Sequence, residues 1–160
     1  MDFDVTAPVF GVSEFITWTW SFERDVRQYP GNGVGAIEVC EFKLDHDDYA
    51  SQLNSIASHG MIVSSVQSTV HSLAPDSLAP QPTAREDRVR HIESAMRRIA
   101  LLVPKATPFV AITGAAPRGD TDAVYRHSLA SFTALRGPDR GLELVHAVGA
   151  PALGPCAGPL

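Results

Sequence analysis

The sequence predicts an α/β fold in which parallel β-strands alternate with α-helices. Two observations predict it: apolar, β-branched runs recur along the chain, and stretches with helical periodicity separate them. Such alternation is typical of parallel βαβ units. The strands are predicted at residues 16–22, 36–42, 61–67 and 109–113, and a fifth begins at residues 142–146.

The number of units is too small for a closed barrel. Eight βα units need roughly 250 residues, whereas this chain has 160 and supplies four to five units. A partial (β/α)8 barrel leaves two open edges of parallel strands and an uncovered apolar face, and both favour association with other chains. We therefore expect the chain to aggregate, to form a composite-barrel homodimer through its open sheet edges, or to remain partly unfolded.

The chain divides into three parts by its residue pattern. Residues 1–15 are predicted as an N-terminal leader into the first strand, and residues 16–145 as the partial barrel. Residues 146–160 are dominated by Ala, Gly and Pro and have neither strand nor helix period. We predict that this last segment is a disordered tail.

Three of the four predicted helices have simple start and stop signals. The first covers residues 23–29 and stops at a Pro-Gly-Asn-Gly turn, because proline cannot continue a helix comfortably. The second is predicted to begin at an Asp45 cap and to end at Gly60. The fourth covers residues 121–135, with Asp120 as its predicted cap.

The third helix is the clearest in the sequence. Residues 83–86 (Thr-Ala-Arg-Glu) have the pattern of a capping box. The apolar residues behind this pattern recur at helical spacing: Val89, Ile92, Met96, Ile99 and Val103. Four arginines fall on other faces and are interpreted as solvated surface, with phosphate binding as the less favoured alternative: Arg88, Arg90, Arg97 and Arg98.

Composition and charge exclude several classes of function. The net charge is −5, and no basic stripe is present, so nucleic acid is not an expected partner. No stretch approaches the ~20 apolar residues of a membrane helix, so no membrane association is expected. The N-terminus has no secretory pattern, and the two cysteines fit neither a disulfide framework nor a metal site. A cytoplasmic location is therefore predicted.

Candidate site residues are the polar and aromatic residues late in each strand, because parallel α/β folds place chemistry at the carboxyl ends of strands. The candidates that we expect to line a substrate site are Glu38, Gln67, His71, Trp20 and Thr113. The loop that starts at His71 and runs to Pro82 is unusually long, which is typical of a functional or mobile loop. Catalytic residues cannot be assigned, since no nucleophile elbow, P-loop or GxGxxG pattern occurs.

Each candidate also has an ordinary structural interpretation. Glu38 and Glu41 are predicted to point to opposite faces of the second strand, so only one of them can line a barrel interior. A carboxylate in an apolar strand is costly to bury unpaired, so the other would contact the helix layer or a neighbouring residue. His71 could be a surface histidine, Trp20 could fill the core together with Trp18, and Thr113 is weak evidence for an anion site.

Four segments, taken in order, resemble the sugar phosphate isomerase/epimerase group of xylose isomerase-like TIM barrels. They are residues 17–23 (TWTWSFE), 35–44 (GAIEVCEFKL), 60–67 (GMIVSSVQ) and 109–114 (FVAITG) with the following APRGD. This resemblance implies a divalent-metal enzyme that acts on a small sugar or sugar phosphate. It also implies a metal-binding glutamate at the end of the fifth strand, close to Ala147, where this sequence has no acid.

We therefore expect a truncated form of such an isomerase, inactive as this chain and without a bound metal. The composition of residues 146–160 suggests a shifted reading frame after about residue 144. The alternative is a non-catalytic α/β binding or interaction module, which could be a half-barrel homodimer.

Overall fold

The computed structural model describes residues 8–112, 114, 121–136 and 144–147. Within these residues five strands form one sheet in the order β1-β2-β3-β4-β5, and every neighbouring pair is parallel. The fold class predicted from the sequence is thus confirmed. The elements are β1 Gly11–Ser13, α1 Phe22–Gln28, β2 Ala36–Cys40, α2 Tyr49–Ser58, β3 Ile62–Ser72, α3 Arg85–Ile99, β4 Phe109–Ile112, α4 Thr121–Arg136 and β5 Leu144–Ala147.

One face of the sheet packs against the helices and forms the core. Ile37 and Val39 of β2 are fully buried there, in one cluster with Ile92 and Ile99 of α3. Because side chains alternate along a strand, Glu38 lies on the opposite face of β2. The two faces of the sheet therefore have different roles, one apolar and packed, the other carrying polar groups.

The placement of the first strand at residues 16–22 is wrong. The strand is Gly11–Ser13, inside the segment predicted as a leader, and residues 14–20 are a turn region that leads into α1. The alternation of Ile16 and Trp18 with polar residues imitates a strand, but these side chains are 76% and 44% exposed. The real strand is too short and too poor in large apolar residues to give a hydrophobic pattern.

Two predicted helix caps are also wrong. The N-cap residue of α2 is Asp48, because Asp45 lies one turn earlier and its side chain accepts a hydrogen bond from the Asp47 N–H at 3.1 Å. The N-cap residue of α3 is Ala84, without a side-chain cap bond, so the capping box does not form. Thr83 precedes this cap position by one residue. Arg88 holds the loop before α3 through a hydrogen bond to the carbonyl oxygen of Pro82.

Strand β3 is longer than predicted, and β2 is shorter. β3 extends to Ser72, so His71 belongs to the strand and the following loop covers residues 73–84. β2 ends at Cys40, and a short 3-10 turn covers residues 41–43. A shift in register between Gln67 and Ser72 accommodates the extra length of β3 beside β4.

The interpretation of the four arginines as a solvated surface is wrong for Arg88, whose side chain is fully buried. It holds for Arg90 and Arg97, which are exposed and pair with acids of the same helix. Arg98 is half-exposed and contacts the buried Glu41. Helix propensity and charge pattern do not distinguish these positions, because burial of Arg88 depends on carbonyl groups of a distant loop.

Helix α4 and strand β4 lie where periodicity placed them, whereas β5 overlaps residues 142–146 and ends at Ala147, inside the segment predicted as a tail. Asp120, Thr113 and residues 148–160, which include most of the predicted tail, lie outside the described residues. In the described part of the chain no helix is long and apolar enough to cross a membrane. The division into leader, barrel and tail stays a prediction.

Candidate functional site

Four rings meet at the carboxyl ends of β1, β2 and β3, and we call them the aromatic cluster: Phe15, Trp18, Phe42 and His71. The ring of Phe15 lies 5.3 Å from that of Trp18, 5.4 Å from that of Phe42 and 5.3 Å from that of His71. The rings of Trp18 and Phe42 are 4.4 Å apart and tilted by 35°. Because Trp18 is 44% exposed, one side of the cluster is accessible to a ligand.

A cavity of about 660 Å³ adjoins the cluster at Phe42. Its walls come from the segment after β2, from β3, from the loop that follows β3, and from helices α2 and α3. They include Tyr49, Thr69, Pro82, His91 and Arg98. A cavity of this size, with aromatic walls and a few polar groups, has the character of a small-molecule site.

Glu41 is a buried charged group in the wall of this cavity. Its Oε1 accepts hydrogen bonds from Arg98 Nη2 at 2.6 Å and from the Tyr49 hydroxyl at 3.2 Å, and its Oε2 accepts one from the Thr69 N–H at 2.9 Å. Burial and the nearby Glu41 charge raise the pKa of Tyr49. The carboxylate is thus fully paired, which offsets the cost of burying it.

Glu38 and Gln67 lie on the face of the sheet opposite to the helices. Ser13 and Ser65 occupy the register positions on either side of Glu38, and their hydroxyls donate to its two carboxylate oxygens at 2.6 and 2.8 Å. Gln67 is buried beside Cys40, its register partner in β2. The two predicted site residues are therefore on the same face, and Glu41 is on the helix side.

His71 is buried at 3% exposure and does not lie on the surface. Its Nε2 is 3.2 Å from Asp76 Oδ2, and its ring contacts Phe15. Asp76 Oδ1 accepts hydrogen bonds from the N–H groups of Leu78 and Ala79 at 2.9 and 2.8 Å. Burial opposes ionisation of Asp76, but the backbone donors and His71 outweigh it and hold the pKa of that carboxyl below its usual value.

The loop of residues 73–84, which we call the strap, is held at its far side by Arg88. The guanidinium donates to the carbonyl oxygens of Ala79 and Pro82 at 3.0 and 2.8 Å, and to the carbonyl oxygen of Ser72 at 2.7 Å. Burial lowers the pKa of Arg88. The strap is thus fixed by His71 and Arg88 together, beside the aromatic cluster.

One predicted site residue, Trp20, is not part of this arrangement. Trp20 precedes α1 and packs against the core, and the Arg24 guanidinium lies 4.2 Å from the centre of its ring. Thr113 lies outside the described residues. The residues that sequence reasoning missed are Phe15 and Phe42, because their meeting depends on the correct position of β1.

A metal centre is not evident in the described residues, which contain no group of three or more His, Cys, Asp or Glu side chains able to hold an ion. The carboxylate oxygens of Glu38 and Glu41 instead accept hydrogen bonds from serine hydroxyls and from Arg98. The arrangement can therefore bind a small polar ligand through aromatic faces and hydrogen bonds.

Comparison with known proteins identifies the fold. No family model and no curated protein matches the chain. Among solved structures, protein SMc04130 from Sinorhizobium meliloti 1021 superposes with a TM-score of 0.60 at 18% sequence identity, over 86% of this chain and 49% of that one. A D-psicose 3-epimerase, crystallised in the presence of D-fructose, gives a TM-score of 0.59 at 15% identity, over 86% of this chain and 51% of the epimerase.

The fold is that of about half of a TIM barrel. Both structures have this barrel architecture, and the chain spans about half of the length of each. The resemblance seen in the sequence is confirmed as a likeness of fold. At these identities the likeness does not extend to activity or substrate, which we treat as proposals.

Proposed function

We propose that this protein is a sugar isomerase- or epimerase-like protein that binds a small sugar or sugar phosphate at the carboxyl ends of β1, β2 and β3. The observation that carries the proposal is the contact of Trp18 with Phe42 at this end of the sheet, with one side of the indole exposed. Barrels of this class hold their substrates at the same end. One of the fold neighbours described above is a D-psicose 3-epimerase.

The polar groups near the aromatic cluster fit such a ligand. A sugar presents an apolar C–H face, which packs on an aromatic ring, and several hydroxyls, which need hydrogen-bond partners. His71 lies within the cluster. Glu38 and Gln67 supply acceptors and donors on the open face of the sheet, where Glu38 already accepts from two serines.

The reaction of such enzymes moves a proton next to a sugar carbonyl. A divalent metal would supply electrostatic stabilisation of the charge that develops in this step. We assign no ligand and no catalytic acid or base among the described residues, which hold no suitable cluster. We propose that this chain binds sugar without turning it over, because no acid stands close to Ala147, where the resemblance implies the metal-binding glutamate.

The test uses the two tryptophans as alternative reporters. The W20F variant keeps Trp18 as its only indole, and the W18F variant keeps Trp20. We expect titration with D-fructose, D-psicose or D-fructose 6-phosphate to change the fluorescence of W20F saturably and to leave W18F unchanged. Incubation with Mn²⁺ or Mg²⁺ and chromatography of the sugars should show no product, and absence of any saturable response would contradict the proposed binding.

A second candidate function is a non-catalytic binding module, which the cavity beside Glu41 and Arg98 favours. A ligand of that cavity would contact Tyr49 and His91 but not Trp18, which does not line it. The same fluorescence titration therefore separates the two candidates. A compound that perturbs His91 in an NMR spectrum without a change in W20F fluorescence would support the binding module.

The proposed partner in solution is a second copy of the chain. Among the described strands, β1 and β5 each pair on one side only, which leaves backbone groups at both edges of the sheet. Sedimentation velocity should show a dimer at micromolar concentrations. We also propose a cytoplasmic location, in keeping with the free thiol of Cys40.

A further inference from the structure

A second buried polar group, independent of the aromatic cluster, lies between α1 and the ends of β1 and β2. We call Glu14, Asp25 and Lys43 the acid–lysine cluster. Lys43 Nζ is 2.5 Å from Asp25 Oδ2, and the Cys40 N–H donates to Glu14 Oε2 at 2.7 Å. Glu14 and Asp25 are both 0% exposed. The sequence pattern did not indicate this cluster, because Glu14 lay in the predicted leader.

One oxygen of each carboxyl group has no hydrogen-bond partner in the described structure. These atoms are Glu14 Oε1 and Asp25 Oδ1, and both are buried. If both groups were ionised, two negative charges would face the single positive charge of Lys43, away from water. Unpaired buried charge and unsatisfied buried oxygens are each costly. One proton on Glu14 removes both costs, because Glu14 Oε1 then donates to an acceptor.

We propose that Glu14 is a neutral carboxylic acid at neutral pH, donates its proton to Asp25 Oδ1, and acts as a pH-sensitive latch on the turn that carries Phe15 and Trp18. The protonated acid, the carboxylate of Asp25 and the ammonium of Lys43 then form a continuous chain of hydrogen bonds. The net charge of the acid–lysine cluster is zero in this state. Loss of the proton above neutral pH leaves one buried negative charge without a partner.

The titration behaviour of the surrounding groups agrees with this geometry. Burial raises the pKa of Glu14 to about 8; the Cys40 N–H and the Lys43 charge counteract this in part, and Asp25 adds to the rise. The other titratable groups that face the cluster are Tyr29, the C-cap residue of α1, and the thiol of Cys40 on β2. Burial raises the pKa of Tyr29 to about 12 and also raises that of Cys40, so neither ionises before Glu14.

The acid–lysine cluster is connected to the turn that carries Trp18. Lys43 Nζ also donates to the carbonyl oxygen of Thr17 at 2.8 Å, and the Thr17 hydroxyl lies 2.6 Å from the Tyr29 hydroxyl. When Glu14 ionises, Lys43 is attracted to two carboxylates, and its hydrogen bond to Thr17 weakens. We therefore expect the turn of residues 14–20 to loosen, and the exposure of Trp18 to increase.

The E14Q variant is the matched test, because the glutamine amide donates to Asp25 as the neutral acid does and its carbonyl oxygen still accepts from Cys40. The pKa of Glu14 is 4.5 in the unfolded chain and about 8 in the folded protein. Between these two pH values the folded protein keeps a proton that the unfolded chain has released. The stability of the folded protein therefore falls as pH rises from 4.5 to about 8, and it levels off above that. We expect the folding equilibrium constant of the natural protein, relative to E14Q, to fall about tenfold per pH unit across that window. Equal pH profiles for the two proteins would overturn the proposal.

Two measurements support this comparison without relying on the stability of the variant. In ¹³C NMR spectra of the natural protein, the Glu14 carboxyl carbon should titrate with a midpoint near pH 8, and a midpoint near 4.5 would overturn the proposal. In the W20F background, acrylamide quenching of Trp18 should rise through pH 8 and should stay constant after E14Q is added. The same pH dependence of quenching in W20F and in W20F with E14Q would overturn the proposed coupling between Glu14 and the turn of residues 14–20. No sugar is used, so these outcomes are independent of the proposed function.

Discussion

Arg88 donates two hydrogen bonds to Ser72, from Nε to the carbonyl oxygen and from Nη2 to Oγ, both at 2.7 Å. The remaining nitrogen, Nη1, donates to the carbonyl oxygens of Ala79 and Pro82. A planar guanidinium has five donors in a fixed arrangement, and neutral carbonyl and hydroxyl oxygens here satisfy a buried cation. The last residue of β3, the strap and the first turns of α3 are joined through this one side chain.

Replacement of Arg88 by methionine should destabilise the fold. The R88M side chain fills most of the space but leaves the acceptors of Ser72, Ala79 and Pro82 without a donor, so we expect a loss of about 3 kcal/mol in the free energy of unfolding. Urea denaturation followed by circular dichroism measures it. The control is R90M on the same helix, where the arginine side chain is 70% exposed and the expected change is within about 0.5 kcal/mol. Similar losses in both variants would contradict the burial of Arg88.

The Asp76 carboxyl should make the strap sensitive to acid. Its folded pKa is below the usual 3.8, so its contribution to stability is present above that value and is lost as pH falls through the folded pKa. D76A should therefore be less stable than the natural protein at pH 7, by about 1–2 kcal/mol, and the difference should vanish in strong acid. Thermal unfolding between pH 2 and pH 7 measures this. A difference that persists unchanged at low pH would show that the charge of Asp76 is not involved.

The alternation of strands and helices could be predicted from the sequence, because β2, β3 and α3 have strong apolar periodicity. The prediction failed at β1, because an edge strand of Gly, Val and Ser buries little and gives no pattern. It failed again at Arg88, whose environment is made of backbone carbonyls from residues 72–82, which no side-chain pattern records. Local periodicity reports which face is apolar, not which distant backbone groups meet.

The same limit explains the candidate site. Glu38 was predicted from its position in an apolar strand, and alternation alone is enough to separate it from Glu41. The aromatic cluster could not be predicted, because Phe15 and His71 approach only when β1 lies beside β2 and β3 extends past its predicted end. The acid–lysine cluster likewise depends on the short β1. A correct first strand would have led to both.

Cys40 should be unreactive in the folded protein. Its side chain is 0% exposed, and burial raises the pKa of the thiol, so the reactive thiolate form is suppressed. In a C156S variant, which keeps Cys40 as its only cysteine, we expect no reaction with Ellman's reagent at pH 8 within the time that unfolded protein needs for complete reaction. Added urea should restore the reaction along the unfolding curve. Rapid labelling without denaturant would show that the sheet opens at β2.

Gly114 should be intolerant of any side chain. Its φ is +82°, a conformation that favours glycine, and a Cβ atom there would meet the carbonyl oxygen of Ala74 in the strap. G114A should cost more than the ~1 kcal/mol of positive φ alone, since the backbone at Ala74 must also move. The control is G33A, where φ is +76° but no atom lies within 4 Å of the added Cβ, so that only the conformational cost remains. Urea denaturation gives the loss in the free energy of unfolding for each variant, and the difference between the two losses is the cost of the contact with Ala74. Limited proteolysis should also cut the strap faster in G114A but not in G33A. Equal losses of stability in the two variants would show that the strap is not packed against the end of β4.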